Sequence, residues 1–549
     1  MKKAVQLLII FFALSSFAQK SPDWRITKLG WTEQDEAKFG DFVAGLGHAI
    51  ATRKCGKVNQ CMASKANLYY GTDPASLKPV SDCADFPYFL RSYFAWKNGL
   101  PMSYERYVTA RPVPGNKGDL RYTLYGNVVV SRYDVIASFN ADEDVTSHYP
   151  SAVDFLNGGL EKITWSANYR MMGLEDGDLF TDFYPAKISR EAIRPGTVVY
   201  DPNGHVVIIY RVGDDGRLYY IDGHPDNTVS AGMFNAKFMR SIPEQGAGFK
   251  NFRPLFLQGA TQDASGAYVG GAVVGAKNSS LPLLGQEQFY GTQPDPRGDW
   301  AKGKFIFKGH QVSYYDYVRL RMAKGSLRLN PVVDMTQDVA DICESLKDRV
   351  MAVDEAIQSG IQDKDHPERL PENIYGSMGE WENYASPARD ARLKVVFMEL
   401  LSQSKDYIAR QKAKDPTIVY KGKNLAKDLL AAYQKGSRAC RFSYVTTSGL
   451  TVNLNLEELR RRLFTISFDP YHCVELRWGA TDPKELSSCH DDDVKRAWYD
   501  HEKWLRFQWE RQFQERMDYS LDELTGPLPG AGIAEPPDVD IEGYLRTQI

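Results

Sequence analysis

The stretch "TVVYDPNGHVVIIYRVGDDGRLYYID", from Thr197 to Asp222, most narrows the folds open to this chain. Its three runs, TVVYD, HVVIIYRV and RLYYID, are rich in β-branched and aromatic residues and bounded by turn formers, the pattern of strands. GDDG joins the last two and reads as a hairpin connection. An antiparallel sheet is therefore expected here. From about Trp24 to Leu257, short apolar runs alternate with turn signals, as in an α+β domain.

After about Asp299 the character changes. "DVADICESLKDRVMAVDEAIQ" and "ARLKVVFMELLSQSKDYIARQKAK" carry apolar residues at helical spacing, as does "DVKRAWYDHEKWLRFQWERQFQERM". A chain of 549 residues is long for one core and suggests two or three domains. Residues 259–280, "GATQDASGAYVGGAVVGAKNSS", are small and Gly-rich and read as a linker or interdomain loop. The expected division is a leader over 1–18, an α+β domain over 19–258 and a Gly-rich linker over 259–298. A mainly α-helical domain follows over 299–525, and then a Pro- and Gly-rich, extended or mobile tail over 526–549.

The first residues, "MKKAVQLLIIFFALSSFAQ", combine two lysines, an apolar run from Ala4 to Leu14 and a small-x-small site at Ser16 and Ala18. This is the pattern of a secretory signal peptide, with the mature chain starting near Gln19 and export to the periplasm or the medium. No other segment is long and apolar enough to span a bilayer. A net charge of −3 gives no global pull toward nucleic acid.

Export bears on the seven cysteines, because oxidising compartments favour disulfides and an odd count leaves one thiol over. Proximity favours Cys55 with Cys61 and Cys473 with Cys489, which leaves Cys343 for Cys440, although six cysteines allow fifteen connectivities. Under that pairing Cys83 is free.

Cys83 stands in "SDCADFPYFLRSYFAW", where Phe86, Phe89, Leu90, Tyr93 and Phe94 form one face of a helix. A thiol at a helix N-terminus meets unsatisfied N–H groups and the positive dipole end, which favour the thiolate. Downstream, His205 opens one strand and Asp222 ends the next, so hairpin pairing brings imidazole and carboxylate to one face. An imidazole beside a thiol is a general base, and a third polar group sets its tautomer. His224, two residues on, is the alternative third member.

"DCADF" resembles the DCSGF-type motif of the NlpC family of papain-like cell-wall peptidases, and "RPGTVVY…GHVVIIY" resembles that family's "pGD…HVgIY" segment. The His-to-carboxylate stretch with its GDDG hairpin is also similar to CHAP-type amidases. The resemblance covers roughly Asn67 to Asp222, well under half of the chain. It implies a papain-like domain that hydrolyses amide bonds in peptidoglycan or another peptide, with no cofactor and no metal. Cys83 would be the nucleophile, its backbone N–H an oxyanion donor, His205 the base and Asp222 the orienting residue. Tyr69 or Tyr70, in "NLYYGTDP", would line the oxyanion or substrate side. The chain departs from the motif at Ala84 and Asp85, where the family carries a small Ser–Gly pair, and Asp85 would raise the thiol's pKa. Pro87 fits only a first helical turn. The long stretch between Cys83 and His205, around "RPVPGNKGDLRYTLYGNVVVSRYDV", leaves room for an insertion that reshapes or covers the groove. A fold of this kind kept for binding, without the chemistry, is the competing class, and the helical domain would position substrate or meet an envelope partner.

Other patterns carry less. His472, Cys473, Cys489 and His490 suggest zinc, but adjacent residues rarely ligate one ion and export favours a disulfide. Asp491, Asp492 and Asp493 read as helix-capping residues. Trp498, Leu505, Trp509, Phe513 and Met517 form a helical stripe read as core. Glu380 and Glu382, one residue apart, would diverge on a strand, so their stretch "RLPENIYGSMGEWENYASPARDARL" reads as a ligand- or partner-contacting loop rather than a carboxylate pair.

Overall fold

The computed structural model describes residues 21–139, 147–174, 179–373, 379–509, 516–526 and 533–549, so the leader expected over 1–18 lies outside the described residues. The strand-forming runs pair into one six-stranded sheet. Its members are β1 (Phe183–Pro185), β2 (Val198–Asp201), β3 (His205–Val212), β4 (Leu218–Gly223), β5 (Val229–Met233) and β6 (Gly248–Phe252). The order across the sheet is β1-β6-β2-β3-β4-β5, and every pairing is antiparallel.

Val206 to Ile209 are apolar without a break because both faces of the sheet are covered. Val206, Ile208 and Tyr210 face two helices, α1 (Glu33–Ala51) and α2 (Asp85–Asn98), and pack with Phe42, Phe89 and Phe94. Val207 and Ile209 face the other way, into a core with Leu218, Tyr220 and Phe249. Thr32 and Asp35 close a capping box that fixes the start of α1. Gly47 lets α1 approach β3, since a Cβ there would lie 2.2 Å from Cγ of Tyr210.

The Gly-rich stretch is tied down. Strands Leu255–Gln258 and Ala272–Gly275 pair with each other, and Leu257 and Val273 enter the α1–α2 core. Bridges from Ile26 to Tyr268 and from Ala137 to Val269 fasten it to earlier segments. Its glycines serve turns, as at Gly270 and Gly271 with φ of 70° and 80°, rather than chain freedom. Phe305 and helix α3 (Tyr314–Met322) then cover the second face of the sheet. The first unit therefore runs on through Met322, and Leu329 is the first residue of the next core.

That next core is helical. It packs α4 (Pro331–Gln358), a short helix α5 (Gly379–Tyr384), α6 (Pro387–Lys412) and α7 (Leu425–Ala439) around Leu346, Phe397, Leu429 and Trp478, with α5 at the margin through Trp381. The Pro- and Gly-rich tail ends differently from the extended segment expected. Helix Ile541–Thr547 buries Ile541 and Leu545 in this core, because a short apolar repeat capped by Asp540 hides within the polar composition. Trp498, Leu505 and Met517 are buried together and Trp509 is half-buried; Phe513 lies outside the described residues.

Charge joins the two units. Asp334, Asp338, Asp341, Glu344 and Asp348 recur every three or four residues along one face of α4. Arg217 reaches Asp334 at 3.1 Å and Asp338 at 3.4 Å, and Lys237 reaches Asp341 at 3.4 Å. Arg53 bridges Glu344 and Asp348, both at 2.9 Å. Three disulfides join Cys55 to Cys61, Cys343 to Cys440 and Cys473 to Cys489, and Cys83 is free. Among the described residues no helix is long and apolar enough to cross a membrane.

Candidate thiol site beneath the helical unit

Asp82, not the thiol, takes the amides at the start of α2. Its Oδ1 accepts hydrogen bonds from the N–H groups of Ala84 at 2.8 Å and Asp85 at 2.9 Å. These groups were expected to favour a thiolate, and the Asp82 carboxyl occupies them instead. Burial pushes the Cys83 thiol up and Asp82 pushes it further, so the sulfur rests protonated at neutral pH. Asp85, expected to raise the thiol, turns aside to hydrogen-bond Thr164 at 2.5 Å. Burial and Asp82 hold the Asp85 carboxyl well above its ordinary range. Pro87 falls in the first turn of α2, where its missing N–H costs nothing.

The hairpin delivers its two residues together. Alternation places His205 in a row with Val207 and Ile209, and Asp222 in a row with Tyr220 and Leu218, on one face. Nε2 of His205 lies 2.9 Å from Oδ2 of Asp222. Burial pushes Asp222 up, but His224, His205 and Ser230 outweigh it and hold the carboxyl well below its usual range. Against an ionised carboxylate Nε2 carries the hydrogen, which leaves Nδ1 as the basic nitrogen. Burial, helped by Arg392, pushes the His205 ring below its ordinary value, so it is a neutral base at neutral pH. Oδ1 of Asp222 accepts from the Ser230 hydroxyl at 2.5 Å. His224 meets Ser230 at 3.1 Å and stands 3.8 Å from Asp222, supporting the carboxylate without replacing it.

Sγ of Cys83 lies 3.9 Å from the carbonyl oxygen of Gly204, the residue before His205, and Cys83 and His205 are both among the residues lining one cavity of about 520 Å³. Two distant segments complete its walls. Arg121 and Tyr122 come from the insertion between Cys83 and His205, and Glu382, Arg389 and Arg392 come from α5 and α6. Asp82, Glu161 and Glu382 make part of the wall acidic, while Arg389 and Arg392 bring positive charge to the histidines.

Tyr69 and Tyr70 do not line this cavity. Tyr69 packs against Phe42, Tyr93 and Phe94, and its hydroxyl accepts from Asn98 at 2.6 Å. Tyr70 is exposed. Tyr69 turns into the aromatic core rather than toward the thiol. Tyr122 and Arg121 occupy the cavity wall instead, and the long insertion was their only sequence signal. Arg389 and Arg392 lie in the stretch from Arg369 to Leu393 that read as a contacting loop. Glu382 belongs to the same stretch, and Glu380 points elsewhere, to Lys364 and the Tyr471 hydroxyl. Both glutamates lie on a helix rather than a strand.

No family model matches the chain, and no curated protein or solved structure matches it.

Proposed function

We propose that this chain is an exported cysteine hydrolase, periplasmic or extracellular, with a papain-like α+β unit that cleaves amide bonds in cell-wall peptides. The observation that carries the reading is the buried His205–Asp222 hydrogen bond beside a cavity that His205 and the free Cys83 both line. Because the thiol and the imidazole both rest neutral, His205 acts as a general base during attack rather than as half of a preformed ion pair. The sulfur adds to the amide carbonyl as its proton passes to Nδ1, and the backbone N–H of Cys83 stabilises the oxyanion. His205⁺, steadied by Asp222, returns the proton to the leaving amine, and water then hydrolyses the thioester. Arg389 and Arg392 suit a peptide that presents a carboxylate near the scissile bond. The helical unit thereby serves as the far wall of the substrate site.

One observation favours a second reading, a binding module that keeps the cavity without the chemistry: Asp82 occupies the amides that would stabilise a thiolate. Purified peptidoglycan incubated with wild type, Cys83→Ala and His205→Ala separates the two. New amino and carboxyl termini from wild type alone support the hydrolase. Identical fragment patterns, with peptidoglycan still bound by Cys83→Ala, favour the binding module.

A further inference from the structure

Four side chains from three segments of the helical unit converge out of solvent. His366 lies in the loop after α4, Asp469 and His472 in one loop, and Glu502 between helices Asp493–His501 and Lys503–Phe507. All four side chains are 0 % exposed. Nε2 of His366 is 2.7 Å from Oδ2 of Asp469. Nε2 of His472 is 3.4 Å from the same oxygen and 3.8 Å from Oε2 of Glu502. Donor atoms of His366, Asp469 and Glu502 all lie within 4.8 Å of one another.

The outer ring shows what the inner atoms are for. Nδ1 of His472 faces Oδ2 of Asp491 at 3.0 Å, and Nδ1 of His366 faces the Pro367 carbonyl at 2.6 Å. Each Nδ1 therefore donates outward, which leaves Nε2 as the inward nitrogen, able to hold a proton toward Asp469 or a metal ion in its place, as in metal-bound histidines. Asp491 is itself held by the Cys473 N–H at 2.8 Å. Inside, Nε2 of His472 and both carboxylate oxygens of Glu502 have no hydrogen-bond partner. Buried polar atoms left unpartnered beside a carboxylate, as at His472 and Glu502, suit a cation placed among them. A tetrahedral ion with ligands at about 2.0–2.1 Å sets neighbouring donors about 3.3 Å apart, near the 3.4 Å and 3.8 Å from Nε2 of His472 to Asp469 and Glu502.

We propose that His366, Asp469, His472 and Glu502 bind one divalent transition-metal ion, zinc by the chemistry of the donors. Four protein ligands with no solvent opening make the site structural, pinning the loops around Trp498 to the helical unit. Only His472 belongs to the His–Cys…Cys–His pattern visible in the sequence, whose cysteines are joined as a disulfide.

Full-length protein, purified without metal-affinity steps and with its disulfides intact, should carry about one zinc per chain by elemental mass spectrometry. After chelation, cobalt(II) should restore thermal stability and give the visible bands of a tetrahedral nitrogen- and oxygen-ligated ion. His472→Gln and Glu502→Gln should each weaken metal binding tenfold or more, while Cys83→Ala leaves it unchanged. Wild type that takes up neither zinc nor cobalt would overturn the assignment, as would unchanged affinity in both variants. If the variants fail to fold, the wild-type cobalt spectrum decides, and a thiolate charge-transfer band rejects the site.

Discussion

Replacing Asp222 by alanine should loosen the hairpin that carries His205 by a predictable amount. The carboxylate is buried and accepts from Nε2 of His205 at 2.9 Å and from Ser230 at 2.5 Å. Alanine takes the acceptor away from the buried Nε2–H of His205 and from the half-buried Ser230 hydroxyl, at about 1–3 kcal/mol each. It also removes the burden of burying a charge, so the net loss should be near 3 kcal/mol. Hydrogen exchange of the β3 and β4 amides should then accelerate roughly a hundredfold, at 1.4 kcal/mol per factor of ten. Asp222→Asn keeps an acceptor for Ser230 and should exchange within about tenfold of wild type, yet lose most activity because it no longer stabilises the imidazolium. Asp222 sits lower in the fold than in the unfolded chain. Its contribution is therefore complete above about pH 4 and is lost as pH falls through the folded value. The gap between wild type and Asp222→Ala should accordingly narrow on acidification. Exchange unchanged by Asp222→Ala at pH 7 would refute the reasoning, because the carboxylate would then not be the buried partner described.

Three further outcomes are expected. Asp82→Asn, which keeps the amide acceptor and removes the charge, should lower the Cys83 pKa and speed its alkylation by iodoacetamide at pH 7–8, read from the pH–rate profile. Burial, then Arg389, push His224 down to about 3, so the fold keeps it neutral while the unfolded chain takes up a proton below about pH 6.5. Stability should fall with acid across that window by up to about 1.4 kcal/mol per pH unit, and His224→Gln should flatten the slope in denaturant titrations. Gly47→Ala drives a methyl into the Tyr210 ring and should cost about 1–3 kcal/mol, seen as a lower urea midpoint for the sheet unit.

Local pattern made some of this legible and distance hid the rest. HVVIIYRV and RLYYID announce strands and a hairpin, and the structure places β3 and β4 over nearly the same residues. The pairing of His205 with Asp222 follows from that hairpin, because alternation and a short turn fix which side chains meet. Chain proximity also pointed to the disulfides at Cys55–Cys61 and Cys473–Cys489. What stayed hidden depends on contacts far apart in the chain. Composition made residues 259–280 look like a linker, yet partners as distant as Ile26 give their backbone a place to pair. The stretch holding Arg389 and Arg392 read as contacting, but that it meets the thiol cavity depends on α4, whose acidic face joins the helical unit to the sheet unit. Tyr69 shows the opposite failure, a motif position carried over to a side chain that the aromatic core had claimed. Asp82 shows how one neighbour reverses an electrostatic expectation, since the helix end was read correctly and its occupant was not.

The central claim is that Cys83 forms a thioester with substrate under the control of His205. Intact-mass spectrometry of protein quenched during turnover of an activated peptide ester tests it most directly. Wild type should gain one acyl mass that maps to Cys83 and decays with time. Cys83→Ala should gain none, and His205→Ala should acylate at least a hundredfold more slowly. An acyl group on another residue, or none in wild type while product still forms, would contradict the account.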